Sequence, residues 1–236
     1  MNKGMCFGVS LGPGDPWLIT FMAAKTIEQA DVIFLPSAPK ENCKVYKIIQ
    51  HAISEGLIKE ISYDKFVCID TKPMADPKTQ GDRYDILAKN VAKLLDEGKN
   101  VAFPALGEAS LYSTYFYVHE RLIERGYSLK VLSGISSVQE ICDRLSIALA
   151  KGDEQVHIYP DTNELNERLK ANGTKIFMKP KSDLAQTVRH IQEYIVRNPD
   201  TKAYGISNCG LENEIIAFNK DELDKLSGYM SVLIVK

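Results

Sequence analysis

The segment Val9-Ser10-Leu11-Gly12-Pro13-Gly14-Asp15-Pro16 decides the fold of this chain. The apolar run at residues 6–9 predicts a buried strand, and the pattern from Trp17 onward predicts a helix. The two glycines let the backbone pass close to a ligand, and the Asp-Pro end suits an N-cap and a first helical turn. The spacing matches neither the Walker loop nor the Gly-x-Gly-x-x-Gly dinucleotide loop. The segment therefore predicts a strand-to-helix junction that is either a different kind of ligand loop or a plain connecting turn.

The composition is that of an ordinary globular chain. The 236 residues are 44% hydrophobic, enough for a sizeable core in one large or two small domains. A formal net charge of -2 argues against general nucleic-acid binding, which usually needs a basic excess. No apolar run in the sequence approaches the ~20 residues of a membrane span, and the N-terminus lacks a signal-peptide core. We therefore expect a cytoplasmic protein.

The cysteines and histidines do not predict a metal site. No Cys-x-x-Cys pair occurs, and the four histidines lack ligand spacing such as His-x-x-x-His. The odd number of cysteines does not indicate a disulfide framework either. We expect reduced thiols in or near the core at Cys6, Cys43, Cys68, Cys142 and Cys209.

Strand and helix patterns alternate along the chain, which predicts parallel sheets with crossover helices. In the first half the predicted strands are 5–9, 32–35, 66–69, 101–104 and 129–132. The predicted helices are 17–28, 44–55, 84–97 and 111–125, and residues 70–83 are predicted to form an exposed loop. In the second half the predicted strands are 156–159, 175–178, 203–207, 215–219 and 230–235. The last two, separated by a helical turn at 221–226, are expected to be antiparallel.

Small, turn-forming residues at 133–137 predict a boundary between two α/β domains, 1–134 and 135–236. Loops of similar composition lie at 105–110, 133–137 and 207–210, and each follows a predicted strand. Like the first segment, each lies at the carboxyl end of a strand, where open parallel sheets bind ligands. The four loops together predict one site, whereas a single loop would be weak evidence.

These motifs resemble the tetrapyrrole methylases, the S-adenosylmethionine-dependent enzymes of cobalamin and sirohaem synthesis, over essentially the whole chain. The Gly-Pro-Gly-Asp loop, the Leu-Ile-Thr after it and the Ala-Asp-Val-Ile at 30–33 match the family's amino-terminal signature. Within the family the chain is most similar to the C(20)-methyltransferases of precorrin-2 or cobalt-factor II. That similarity rests on residues 107–114, 133–137, 150–154 and 229–235. Glu108-Ala109 replaces the family's usual Asp-Pro, and Ser133 replaces its proline before Gly134.

The resemblance implies a homodimer with two α/β domains per chain and the methyl donor bound in the cleft between them. Backbone near Gly107 would bind the donor's amino-acid end, and Met178 with backbone near Gly210 would bind its adenine. For Met178, core filling on a strand is the alternative. The donor contacts carried over from the family are Pro13, Leu106, Gly107, Glu108, Leu111, Ser136, Ser137, Met178 and Gly210.

The implied acceptor is a tetrapyrrole with several carboxylates, which basic side chains would bind. Methyl transfer to an electron-rich carbon depends on alignment at roughly 3–3.5 Å and on exclusion of water. Asp15 and Tyr112, together with Glu108, are polar candidates for the later loss of a proton, with no definite role assigned. Candidate acceptor contacts are Gly12, Gly14, Lys72, Lys78, Lys179 and Lys181. Lys40, Lys44 and Arg83 also lie in predicted loops or helix starts near the carboxyl ends of strands.

Alternatives from other classes stay open. Another tetrapyrrole methylase of the pathway, a ribosomal RNA methyltransferase of related fold, or a nucleotide-binding regulator would share some of these loops. The mild acidity and the lack of a basic stripe weigh against RNA. A donor-binding titration separates the regulator from the enzymes, and a comparison of tetrapyrrole and RNA methylation separates the enzymes from each other. Whether the acceptor is metal-free or contains cobalt also stays open.

Overall fold

The computed structural model describes residues 3–36, 39–68, 80–180 and 183–236. The chain divides into two compact units, Met1–Ser136 and Ser137–Lys236. Each unit is built on one five-stranded sheet with helices, so the predicted α/β fold is confirmed. The division lies two residues beyond the boundary expected from the sequence.

The first unit alternates strands and helices, and its sheet has the order β3-β2-β4-β1-β5 with all four neighbouring pairs parallel, as the alternation predicts. Its strands are β1 (Cys6–Ser10), β2 (Val32–Leu35), β3 (Phe66–Cys68), β4 (Val101–Ala105) and β5 (Leu129–Leu132). Its helices are α1 (Phe21–Gln29), α2 (Lys44–Ser54), α3 (Gln80–Asp96) and α4 (Thr114–Glu124). Short 3-10 turns occupy Pro16–Leu18, Lys40–Asn42 and Tyr63–Lys65.

Helices cover both faces of this sheet. Successive residues of a strand point to opposite faces, so one strand contributes side chains to two cores. Ile33 and Leu35 of β2 pack in the core that contains α1 and α2, whereas Phe34 packs in the core that contains α3 and α4. The helices that follow the neighbouring strands β1 and β4 therefore lie on opposite faces. In an α/β sheet such a reversal leaves a crevice at the carboxyl ends of the two strands.

The predicted helix at 17–28 is wrong in its first turn. A 3-10 turn at Pro16–Leu18 comes first, and α1 begins only at Phe21. The hydroxyl of Thr20 accepts a hydrogen bond from the amide of Ala23 at 3.2 Å and so caps a new helix. The chain can thus change direction after the Gly-Pro-Gly-Asp segment.

Two other helix starts also differ from the prediction. Helix α4 begins at Thr114 instead of 111, because Tyr112 has a φ of 50° and the hydroxyl of Ser113 caps the helix. Helix α3 begins at Gln80, so the last part of the predicted 70–83 loop is helical. The remainder of that loop up to residue 79 lies outside the described residues.

Packing explains the glycine in the middle of β1. A Cβ at Gly8 would lie 2.1 Å from Cε1 of Tyr115, whose side chain is fully buried. The Tyr115 hydroxyl lies 2.9 Å from Nδ1 of His119, one turn further along α4. His119 therefore lies on a helix, as predicted. Burial also raises the pKa of the Cys6 thiol to about 12, which keeps it a neutral core group.

The second unit has a mixed sheet with the order β6-β7-β10-β8-β9. Its strands are β6 (Val156–Tyr159), β7 (Thr174–Met178), β8 (Ala203–Ser207), β9 (Ile215–Ala217) and β10 (Ser231–Val235). Its helices are α5 (Ser137–Arg144), α6 (Leu165–Arg168) and α7 (Leu184–Arg197), with a 3-10 turn at Lys220–Lys225.

Strand direction is where the prediction for the second half is wrong. Strands β6 and β7 are parallel, but β10 is antiparallel to β7 and β8, and β9 is antiparallel to β8. The last two strands do not pair with each other, because β8 lies between them. Because β9 and β10 are both antiparallel to β8, they run in the same direction, and the segment between them holds only the 3-10 turn.

The described residues include no helix long and apolar enough to cross a membrane. All five cysteines are free thiols, as expected. Cys6, Cys43, Cys142 and Cys209 are buried, and Cys68 is half-buried.

Candidate functional site

The loops that follow β1 and β4 are joined backbone to backbone. The amide of Gly12 donates to the carbonyl of Gly107 at 3.2 Å, and the amide of Gly107 donates to the carbonyl of Gly12 at 2.7 Å. One residue earlier, the amide of Leu11 donates to the carbonyl of Ala105 at 3.0 Å. The two loops are thus held together at the carboxyl edge of the sheet by an antiparallel bridge, although β1 and β4 themselves are parallel.

Gly107 is a buried residue, yet the direction in which a side chain would project from it is open. Its φ of 75° is left-handed, and a Cβ there would meet no atom of the described residues within 4 Å. Gly12 has a similar φ of 78°, but a Cβ there would lie 3.2 Å from the carbonyl oxygen of Leu18. Of the two paired glycines, Gly107 is therefore the one that a ligand can approach closely.

Ser10 at the end of β1 holds the second loop in place. Its buried hydroxyl accepts from the amide of Ala109 at 2.8 Å and donates to Oε1 of Glu108 at 3.5 Å. The other Glu108 oxygen accepts from the amide of Ser110 at 2.7 Å and also contacts the Ser110 hydroxyl. The carboxylate of Glu108 is thus directed back onto its own loop.

Sequence reasoning missed this role of Ser10. The only signal was a hydroxyl residue at the end of an otherwise apolar strand, immediately before the glycine loop. Its partners lie far along the chain, so the hydroxyl could not be paired with them from the sequence.

A third loop passes close to the same strand end. A Cβ at Gly134 would lie 2.5 Å from Cβ of Ser10, so the loop after β5 packs directly on the end of β1. Ser136, two residues further, is buried and is the last residue of the first unit. Ser137 begins α5 in the second unit, so the predicted serine pair is split between the two units.

The other candidates of the first unit lie along the two joined loops. Pro13 and Gly14 are buried, and Leu106 and Leu111 are half-buried. Asp15 is half-buried, and its Oδ1 accepts from the amide of Trp17 at 3.0 Å, so it caps the 3-10 turn, whereas Thr20 caps the helix for which Asp15 was predicted as N-cap. Tyr112 is 43% exposed and has the left-handed φ noted above.

The basic candidates of the first unit differ in how they are engaged. The ammonium of Lys40 donates to the carbonyl of Tyr63 at 3.1 Å and lies over that ring, so it is bound to its own chain. Burial lowers the pKa of Lys44 at the start of α2. Arg83 on α3 donates from Nη2 to the carbonyl of Pro36 at 3.5 Å, and its buried Nε has no hydrogen-bond partner among the described residues. Lys72, Lys78 and Lys181 lie outside the described residues.

In the second unit, Met178 and the loop leading to Gly210 lie at the same edge of the sheet. Met178 ends β7 and pairs with Val232 of β10, which in turn pairs with Ile206 of β8. Since β7 and β8 are both antiparallel to β10, their carboxyl ends point the same way. Met178 is only 6% exposed, as core filling would predict, and Lys179 follows it with a φ of 48°. Burial lowers the pKa of Lys179.

A buried serine pair closes this edge. The hydroxyls of Ser207 on β8 and Ser231 on β10 are 2.7 Å apart, and both residues are fully buried. The amide of Ser227 donates to the Ser207 hydroxyl at 3.0 Å, and the Ser231 hydroxyl lies 2.7 Å from the carbonyl of Gly228. The pair holds the turn before β10 next to the loop after β8, a role that the sequence did not reveal.

Comparison with known proteins identifies relatives over the whole chain. The family model described as Tetrapyrrole (Corrin/Porphyrin) Methylases matches residues 5–224. The probable cobalt-precorrin-2 C(20)-methyltransferase of Methanocaldococcus jannaschii is 29% identical, over 100% of this chain and 98% of that protein. The precorrin-2 C(20)-methyltransferase of Sinorhizobium sp is 30% identical, over 100% of this chain and 96% of that protein.

A solved structure shares the fold. The X-ray structure of a cobalt precorrin-4 methyltransferase matches with a TM-score of 0.70 and covers 98% of this chain and 94% of that chain. The sequence identity is 17%, so this match bears on the fold alone.

Proposed function

The chain belongs to the tetrapyrrole methylase family, and we propose that it transfers a methyl group from S-adenosylmethionine to C(20) of precorrin-2 or cobalt-factor II in cobalamin biosynthesis. Similarity to two C(20)-methyltransferases over their full lengths supports this choice of acceptor carbon. The observation that carries donor binding is the open backbone of Gly107 beside its paired partner Gly12.

The residues of the first unit fit such a donor. The space above Gly107, which a Cβ would fill, admits the amino-acid end of the donor against bare backbone. Leu106 and Leu111, both half-buried, are the proposed apolar contacts, and Pro13 stiffens the partner loop. Glu108 acts by shaping the loop, because its carboxylate already accepts hydrogen bonds from Ser10 and Ser110. In the second unit, Met178 and Gly210 are the proposed adenine contacts.

The chemistry requires little acid or base catalysis from the protein. S-adenosylmethionine supplies an electrophilic methyl group on a positively charged sulfur. The protein aligns the acceptor carbon at about 3–3.5 Å from that group and excludes water, which lowers the barrier by several kcal/mol. Asp15 is the proposed acceptor of the C(20) proton, and Tyr112, which is 43% exposed, is the second candidate for that step.

Arg83 is the best-supported acceptor contact of the first unit. Its Nη2 donates to the carbonyl of Pro36, the residue that follows β2, at the long distance of 3.5 Å. Its Nε has no hydrogen-bond partner among the described residues. Buried polar groups are normally paired, and a guanidinium pairs best with a carboxylate. Lys72, Lys78, Lys179 and Lys181, with Gly12 and Gly14 in the first loop, are the remaining proposed contacts.

A product assay tests this function. The protein is incubated with S-adenosylmethionine and, separately, with precorrin-2, cobalt-factor II or ribosomal RNA, and the products are analysed by mass spectrometry and NMR. We expect one added methyl group, at C(20), on one of the two tetrapyrroles and none on RNA. Methylation at another ring position, or of RNA alone, would refute the proposal.

We also propose that the protein is a cytoplasmic homodimer, as the family resemblance implies. Sedimentation equilibrium at micromolar concentration tests the dimer, and a mass of one chain at all concentrations would contradict it.

A further inference from the structure

A row of charged side chains connects α5 with the Gly210 loop in the second unit. Nε of Arg144 donates to Oε1 of Glu140 at 2.6 Å, and Glu140 is only 8% exposed. Nη1 of Arg144 lies 3.7 Å from Oε1 of Glu214. The other Glu214 oxygen accepts from the amide of Gly210 at 2.7 Å. One arginine thus joins a buried carboxylate to the carboxylate that binds the loop.

The loop itself has an unusual backbone. Asn208 and Gly210 both have left-handed φ values, 54° and 71°. The amide of Leu211 donates to the carbonyl of Asn208 at 3.0 Å, and the amide of Glu214 donates to the carbonyl of Leu211 at 3.0 Å. These two turns bring the Glu214 side chain back to Gly210. Asparagine tolerates the left-handed region, and the Glu214 carboxylate fixes the loop two residues further on, at the amide of Gly210.

We propose that Glu214, held in place by Arg144 and Glu140, is a positioning residue that fixes the Gly210 loop for the adenine of the methyl donor. This inference rests on the proposed function. Because Glu214 already accepts from the Gly210 amide, Gly210 offers a ligand its Cα face and its carbonyl oxygen. A carbonyl oxygen accepts from the exocyclic amine of adenine but not from the oxygen that replaces this amine in hypoxanthine. The loop would therefore select an amino-purine.

The role of the ion pair follows from burial. The Glu214 side chain is 19% exposed, so without Arg144 its charge would be costly to keep beside the loop. A hydrogen bond from an amide to a charged carboxylate is stronger than one to a neutral group. Arg144 thus offsets part of the cost of holding the Glu214 carboxylate beside the Gly210 amide.

The test compares variants of Glu214 with a neighbouring control. In the full-length protein, affinities for S-adenosylhomocysteine and for S-inosylhomocysteine are measured by calorimetry. We expect Glu214→Ala to weaken S-adenosylhomocysteine binding about tenfold and to bring the two affinities close together. Glu214→Gln should stay within about threefold of wild type, since its amide oxygen still accepts from the Gly210 amide. Glu212→Ala, in the same loop at an exposed position, should match wild type.

The ratio of the two affinities separates positioning from general stability. Loss of folded protein lowers the binding stoichiometry, but it does not change the ratio for the molecules that remain folded. Glu214→Asp is the second variant: its carboxylate is too short to reach the Gly210 amide from the same backbone, so we expect the ratio to fall here too. Wild-type affinity and ratio in Glu214→Ala or Glu214→Asp would overturn the inference. Failure of the wild-type protein to bind either ligand would overturn the proposed function, and the inference with it.

Discussion

Replacing Gly107 by alanine separates donor binding from stability. The residue has a φ of 75°, a conformation that costs an alanine about 1 kcal/mol. No described atom lies within 4 Å of the new Cβ, so no clash adds to that cost. We therefore expect the free energy of unfolding to fall by about 1 kcal/mol and the variant to remain folded.

Donor binding should fall by more than this cost suggests. A ligand in van der Waals contact with the Gly107 backbone occupies the space of the added methyl group, since such contacts lie at about 3.5–4.0 Å. Displacement of the ligand by part of an ångström should weaken S-adenosylhomocysteine binding at least tenfold, or about 1.4 kcal/mol. Gly107→Trp should abolish binding in a protein that still folds.

Gly126→Ala is the matched control for this comparison. Gly126 follows α4, has a φ of 77°, and a Cβ there would also meet no described atom within 4 Å. Calorimetry with S-adenosylhomocysteine and urea unfolding are measured on both variants. Both should lose the same stability, and only the Gly107 variant should lose affinity. Equal affinities in the two folded variants would show that the loop after β4 is not the donor site.

Three further predictions concern packing, pH and the acceptor. Gly8→Ala should destabilise the first unit by about 1–3 kcal/mol in urea unfolding, because the new Cβ would lie 2.1 Å from the buried ring of Tyr115. A loss of less than about 0.5 kcal/mol would contradict this prediction. Burial lowers the pKa of His119 below its usual 6.5, so the unfolded chain binds more protons than the folded one, and the free energy of unfolding should fall as pH drops through 6.5. His119→Gln should flatten this dependence of stability on pH. An unchanged dependence in that variant would contradict the prediction. Removing four basic side chains should raise the Michaelis constant for the tetrapyrrole and flatten its salt dependence with little effect on donor affinity, whereas wild-type kinetics at low salt would count against these contacts. The four are Lys72, Lys78, Lys179 and Lys181.

The strands were predictable from sequence because they are short apolar runs bounded by turn residues. The predicted bounds of β2, β5, β6 and β8 are those of the structure. The helix starts were less predictable, because a local side-chain cap such as that of Thr20 decides them against the general pattern. The mixed second sheet could not be foreseen, since strand direction there depends on the insertion of β10 between β7 and β8.

For the candidate site, the sequence indicated the loops after β1 and β4, which the structure joins, but not the contacts that hold them. Small residues after a strand indicate a possible ligand loop wherever they occur, and Gly12 and Gly107 are both of this kind. Their pairing, and the hydrogen bond from the Ala109 amide to the Ser10 hydroxyl, join residues far apart in the chain. The carboxylate of Glu214 acts on a backbone amide, and any of the many glutamates in the sequence could have done so. Such contacts follow from the tertiary fold, and a single sequence does not encode them in a recognisable pattern.

The backbone pair between Gly12 and Gly107 also makes the proposed donor surface a late product of folding. The pair closes only when β1 and β4 lie side by side, and parallel strands brought together across a long intervening segment associate slowly. The amide hydrogens of both glycines should then exchange with solvent only when the first sheet opens as a whole, with the slow rates typical of core strands. In a nascent chain the Gly12–Gly107 pair can form only after α3, β4 and the loop that follows β4 have emerged from the ribosome.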